Sequence, residues 1–359
     1  MYLVKLSLRP GVQFHFGTRV LFDQSVLHST DTQIHSDTLF SALVNIADKI
    51  GVADSVVEEL KWNPMSSAFY VMENGQRSPV YFLPRPTIPL SHCDNSYKFI
   101  KQKAFVSKGI FERNISVNQW QVKNKKRELI AGKNWIATRE EMQNLLGSEY
   151  DNEKAIQIKL FGITNIPQVR VHTNEEKGNF YQTINVQIAD NRDLFSKLAI
   201  HFYFLLQKMP SKNLETVFNM LPYEGIGGQR STGCGQVQTV HYTETNLFDS
   251  LNGDVFLALS KIIPTQLDLD KMGENTFYKT TIRGGRILKK YDKTENDVNI
   301  DPKIERLKQI RMIDEGAIFE QEVKGRMRDL CPVDGIYNKP YFRYGKAFLL
   351  SISKTMSHD

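Results

Sequence analysis

The chain opens on an alternating run. Tyr2, Val4, Leu6 and Leu8 fall on one side, and Leu3, Lys5, Ser7 and Arg9 on the other, which predicts a first strand. The same stretch, "MYLVKLSLRP", has no apolar core and no small-residue cleavage site, so it reads as a strand and not as a signal peptide. The period then changes. In "HSDTLFSALVNIADKIG", Leu39, Ala42, Leu43, Ile46, Ala47 and Ile50 recur at helical spacing. Ser36 or Asp37 is placed to cap this helix and Gly51 to close it. Short strands are expected at Ala68–Met72 and Val80–Leu83, around the turn "ENGQ". Pro84, Pro86 and Pro89 keep "LPRPTIPL" out of any central strand, because each lacks an N–H.

Further along, "QVRVH" and "FYQTINVQI" alternate around "TNEEKGN" and predict a hairpin. Leu198–Leu206 is almost wholly apolar, which suits a strand buried on both faces. Leu214, Val217, Phe218 and Leu221 predict a helix that Pro222 ends. A glycine-rich stretch follows, and then an alternating run to Tyr242. This order predicts an α+β fold whose first domain, residues 1–245, is a ferredoxin-like (RRM-like) βαββαβ unit with an insertion at about 95–150. Residues 246–359 carry strand-like runs in "DVFLALSKIIP", "TTIRGGRIL", "GAIFEQEV" and "KPYFRYGKAFLLSI", and a charged helical stretch around Ile304–Gln309. They predict a second, degenerate ferredoxin-like domain.

Composition narrows the class. At 359 residues, 41% hydrophobic and 24% charged, the chain is an ordinary globular protein long enough for two domains. No apolar run approaches a membrane span. Cys93, Cys234 and Cys331 are odd in number and scattered, which fits a reducing cytoplasm and no disulfide frame. The eight histidines show no close ligand pair, so no metal is expected. A net charge of +6 favours an acidic partner such as nucleic acid. That charge concentrates between Lys98 and Lys133, where the acids are only Glu112 and Glu128. Phe99, Phe105, Phe111, Trp120 and Trp135 are interleaved in and just beyond that block, which predicts a thumb-like arm projecting from the sheet and gripping RNA by charge and stacking. A solvated surface is the plainer alternative.

The densest motif is "YEGIGGQRSTGCGQVQTVHY", with Gly225, Gly227, Gly228, Gly233 and Gly235. It has no lysine where a P-loop needs one, and Arg230 stands where a dinucleotide turn needs its third glycine. It also runs helix to strand, the reverse of both. Glycines that turn their N–H groups outward, with Arg230, Ser231 and Thr232, suit phosphate. A tight turn without a ligand is the other reading.

"HSDTLFSAL", "FLPRP", "GIGGQRSTGCG" and "YFRYGKAF" appear in this order at intervals that resemble the Csm subunit four family of type III-A CRISPR effector complexes, within the RAMP superfamily. The resemblance spans nearly the whole chain. It implies a cytoplasmic, non-catalytic, cofactor-free subunit in antiviral defence. That subunit holds the 5′ handle of the CRISPR RNA, anchors the large Palm-domain subunit and sits beside the backbone RAMP subunits. Taken with the motifs, the residues expected at RNA are His35, Ser36 and Asp37 at the helix start, Arg85 in "FLPRP" and Arg170 in "QVRVH". Lys123, Lys125, Lys126 and Arg127 join them from the insertion, and Gly225, Gly227, Gly228, Arg230, Ser231 and Thr232 from the glycine loop. Two alternatives stand beside this reading. One is a RAMP-type endoribonuclease using His35 as acid or base; the other is the equivalent subunit of another CRISPR complex type.

Overall fold

The computed structural model describes residues 1–17, 30–89, 97–120, 128–170, 179–288, 304–331 and 340–354. The first part runs β1 (Tyr2–Ser7), β2 (Gln13–Phe14), α1 (Ser36–Lys49), α2 (Ala53–Trp62), β3 (Phe69–Asn74) and β4 (Val80–Pro84). The insertion adds α3 (Tyr97–Gln102), β5 (Phe105–Ser107), α4 (Lys108–Glu112), β6 (Leu129–Ala131), β7 (Trp135–Thr138), α5 (Arg139–Leu146) and α6 (Asn152–Ala155). Then come β8 (Phe161–Arg170), β9 (Asn179–Ile188), β10 (Leu198–Leu206), α7 (Lys212–Glu224) and β11 (Thr239–Glu244).

One eight-stranded sheet organises this part, in the order β11-β1-β10-β3-β4-β5-β7-β6. Each of its first four strands is antiparallel to its neighbours among them, and with α1 and α7 they have the connectivity of a βαββαβ unit. The apolar run of β10 follows from its central place. Phe204 meets Phe218 of α7 at 5.7 Å on one face, while Tyr203 stacks on Phe248 at 6.3 Å on the other. α1 buries Leu39, Phe40, Leu43, Ile46 and Ala47 against the same sheet. Its N-cap is His35, with no side-chain cap, so neither Ser36 nor Asp37 fills the capping role expected of them. α2 was not legible from the sequence, and α7 runs through Pro222 to Glu224 before Gly225 turns the chain.

The insertion departs most from expectation. Its described residues form no projecting arm: β5, β7 and β6 extend the main sheet beyond β4. Four of its aromatic residues are core, while Phe99 is half-buried. Phe105, Phe111, Trp120 and Trp135 are buried, and the Trp135 indole N–H donates to the Ile158 carbonyl at 2.9 Å. Several cations are also engaged within it. Lys103 is buried against the Gly132 and Lys133 carbonyls, Lys108 pairs with Glu112 at 2.6 Å, and Arg113 pairs with Glu140. The element that leaves the sheet is the β8–β9 hairpin, tied at its base to β2 through Gln13↔Gln187 and Phe14↔Val186.

The C-terminal part contains β12 (Val255–Ala258), α8 (Gln266–Asp270), β13 (Thr280–Arg283), β14 (Arg286–Leu288), β15 (Ile304–Arg306) and β16 (Ile310–Ile313). It ends with β17 (Ile318–Phe319), β18 (Arg328–Asp329), β19 (Phe342–Arg343) and β20 (Leu349–Ile352). These make one three-stranded sheet, β17-β12-β20, and three two-stranded ribbons. The described residues form no second ferredoxin-like sheet, and the stretch read as helical near Ile304 begins as strand β15. This part shares the main core. Tyr344 stacks on Phe40 at 5.2 Å, and its hydroxyl accepts from the Met65 N–H at 2.8 Å.

Candidate nucleic-acid interface

The glycine loop is a ridge and not an outward nest. The N–H of Gly228 donates to the His15 carbonyl at 2.8 Å, that of Gly235 to Gln13 at 2.7 Å, and that of Ile226 to Gly235 at 2.9 Å. Gly225, Thr232, Gly233 and Cys234 also spend their N–H groups on neighbouring carbonyls. The expected phosphate cradle of backbone donors therefore gives way to a loop stitched onto the segment at β2. Close approach explains the glycines. At Gly235 φ is +80° and a Cβ would stand 2.2 Å from the Ile226 carbonyl oxygen. At Gly227 φ is +95° and a Cβ would stand 2.8 Å from the His15 oxygen. The tip of the ridge, the short turn Arg230–Thr232, stays at the surface with Arg230 and the exposed Ser231 and Thr232.

Between this ridge and α1 lies a groove of about 260 Å³. Gly227, Gly228 and Arg230 line one side, Thr38, Ser41 and Asn45 of α1 the other, and Arg283, Gly284 and Arg343 reach in from the C-terminal part. Arg283 and Arg343 are held by Asp37, which is fully buried. Arg283 donates to it from Nε at 2.9 Å and Nη2 at 3.1 Å, and Arg343 from Nη1 at 2.9 Å. Arg283 also reaches Asp31 at 3.1 Å. Burial works against the Asp37 carboxylate, yet the two guanidiniums outweigh it and hold its pKa far below the ordinary range.

His35 stands behind Asp37. Its Nε2 lies 3.2 Å from Asp31 and its Nδ1 2.8 Å from Glu315. A carboxylate at each ring nitrogen favours the imidazolium form, in which both nitrogens donate. Burial opposes that charge, but Glu315, with Asp31, raises the His35 pKa above its usual value. Glu315 is likewise depressed despite its burial, by His35 and by Lys261, whose ammonium is 3.7 Å away. Lys261 also pairs with Asp314 at 2.6 Å. Four carboxylates, Asp31, Asp37, Asp314 and Glu315, thus face Arg283, Arg343, Lys261 and His35, and the cluster balances only with His35 protonated.

The sequence-assigned residues therefore separate. Ser36 and Asp37 are fully buried and serve the joint between the two parts, since Ser36 Oγ accepts from the Lys261 N–H at 3.0 Å; neither side chain reaches the surface. His35 belongs to the same joint, with 12% of its side chain exposed. Arg85 is half-buried away from the groove, and its N–H donates to the Ala104 carbonyl at 2.9 Å. Arg170 ends β8, and its side chain lies outside the described residues, as do Lys123, Lys125, Lys126 and Arg127. Gly227, Gly228 and Arg230 do come together at the groove. Sequence reasoning missed Arg283 and Arg343. Each sits next to or near a glycine in a short strand, a signal too weak to single either out.

A model of the CRISPR Csm4 C-terminal domain family matches residues 251–352. Two curated proteins described as CRISPR system Cms protein Csm4 are similar over most of their length. The one from Methanocaldococcus jannaschii is 23% identical across 92% of this chain and 89% of its own. The one from Streptococcus thermophilus is 22% identical across 92% and 93%. The fold resembles a chain in the crystal structure of the Csm3-Csm4 subcomplex of the type III-A CRISPR-Cas interference complex. The TM-score there is 0.62, at 21% identity, covering 98% of this chain and 99% of that one.

Proposed function

We propose that this chain, a protein of the Csm4 family, is a non-catalytic subunit of a type III-A CRISPR effector complex. It holds the single-stranded 5′ handle of the CRISPR RNA in the groove between the glycine ridge and α1. It also anchors the large Palm-domain subunit beside the backbone subunits. The observation that carries the RNA reading is the groove itself, a polar channel with Arg230 on its rim and two clamped arginines on its far wall. Guanidiniums fixed in advance lose little freedom when a phosphate arrives. Arg230 makes a 3.3 Å bond to the Glu224 carbonyl and remains 39% exposed, so its outer donors face solvent. The endoribonuclease alternative asks His35 to exchange a proton with the 2′-hydroxyl. His35 has a carboxylate at each ring nitrogen, which supports a structural role.

Two measurements test the proposal on the full-length chain with labelled repeat-derived RNA. The RNA is expected to stay intact with and without divalent metal, and specific cleavage would promote the nuclease reading. Arg230→Ala is expected to weaken binding roughly 10- to 150-fold, the range for losing a hydrogen bond to a charged group. Unchanged affinity would reduce the ridge to a structural turn.

A further inference from the structure

A second and wider depression, about 770 Å³, lies between the residues that follow β1, the end of α7 and the glycine ridge. Its notable side chain is Tyr223. The apolar stripe of α7, Leu214, Val217, Phe218 and Leu221, faces the core, and Tyr223 falls outside that stripe with 83% of its surface exposed. No hydrogen bond or ring contact engages it among the described residues. A ring with an open face and a free hydroxyl is a stacking platform.

Its surroundings are selective. Arg9 and Arg230 supply positive charge, and the amides of Gln236 and Gln238 can each donate and accept, while Gln13 Oε1 already accepts from Asn185 Nδ2 at 3.0 Å. Glu224 is the acid there, and its charge is met by Lys49 at 2.5 Å and by Arg230 at 3.7 Å. Arg230 is common to both depressions, so a strand lying in the groove beside α1 meets the same guanidinium as it crosses the ridge.

We propose that this depression is a nucleobase subsite: one unstacked base of a single RNA strand lies on Tyr223, its edge is met by the glutamine amides, and its flanking phosphates are held by Arg9 and Arg230. The inference rests on the RNA reading above and extends it to the outer side of the ridge. An aromatic beside arginines also suits a protein partner. The amides lining the depression, which match base edges and serve an apolar contact poorly, favour the base.

The test is binding of repeat-derived single-stranded RNA to the full-length chain by fluorescence anisotropy, over a salt series, with Tyr223→Ala, Tyr223→Phe and Arg230→Ala. Because Tyr223 packs against little, Tyr223→Ala should leave the melting temperature unchanged. It should weaken binding about 5- to 150-fold while leaving the salt slope as it was, since stacking releases no counterions. Tyr223→Phe keeps the ring and should bind nearly as wild type. RNA carrying one abasic position, moved along the strand, should at one position lose the same factor with wild type and nothing more with Tyr223→Ala. If wild type binds no RNA, the RNA reading fails and this subsite with it. If wild type binds and Arg230→Ala weakens it while Tyr223→Ala does not, the subsite alone is overturned. It is overturned equally if Tyr223→Ala leaves RNA affinity intact but abolishes assembly with a protein partner.

Discussion

Replacing Asp37 by alanine is expected to destabilise the protein by about 3–5 kcal/mol, the range for removing one partner of a buried ion pair. The effect is large because one carboxylate serves two guanidiniums. Arg283 keeps Asp31 and Arg343 keeps the Gly284 carbonyl, but the shared buried charge that fixes both would be gone. A urea titration reads the loss. The double variant Asp37→Asn with Arg343→Gln should cost less than the sum of the two single variants, because the pair vanishes together. A loss below about 1 kcal/mol for Asp37→Ala would mean that the arginines are held by other contacts.

The same cluster sets a pH window. Asp37 and Glu315 have folded pKa values below their ordinary ones, so their contribution is present above the normal carboxylate range and fades as pH falls towards the depressed values. His35 is raised, so its contribution is complete below its unfolded value and fades as pH rises through the folded one. The melting temperature should therefore fall as pH rises above about 6.5, the ordinary histidine value. His35→Gln should remove that alkaline decline. A flat profile in wild type across this range would mean that His35 is not charged in the fold.

The second large effect lies in the insertion. Trp135→Ala should cost about 3–5 kcal/mol, as for other buried tryptophans. The indole is fully buried, packs edge-on to Phe82 of the main sheet at 5.8 Å and satisfies the Ile158 carbonyl. A folded arm separate from the sheet would tolerate this change with no shift in the global transition. One cooperative transition at a lowered urea midpoint is expected instead.

Elements that carry their own period were legible in the sequence. The stripe of α1 and the apolar run of β10 show their burial directly, and β10 is found at Leu198–Leu206 as expected. The insertion was not legible. β5 and β6 have three residues and β7 four, too few to establish alternation, so core aromatics lying between charges look the same as stacking residues. The place of the glycine loop could be read, but its docking could not, because the acceptors for the Gly228 and Gly235 N–H groups lie some 200 residues earlier, at His15 and Gln13. The charged joint was hidden for the same reason. Asp37 meets Arg283 across 246 positions and Arg343 across 306, and nothing in either local sequence announces the partner.

The place of β1 governs how the chain can be made. β1 precedes both of its neighbours by a long stretch of chain, since β10 and β11 come from residues 198–244. At about 5–20 residues per second, roughly 10–50 s pass before either edge of β1 can be paired. Throughout that interval an apolar strand with two open edges stands exposed in the nascent chain. Correct pairing of β1 therefore waits until residues 198–244 have emerged. Slowing translation between β1 and β11 should lower the yield of native protein more than slowing it after Glu244.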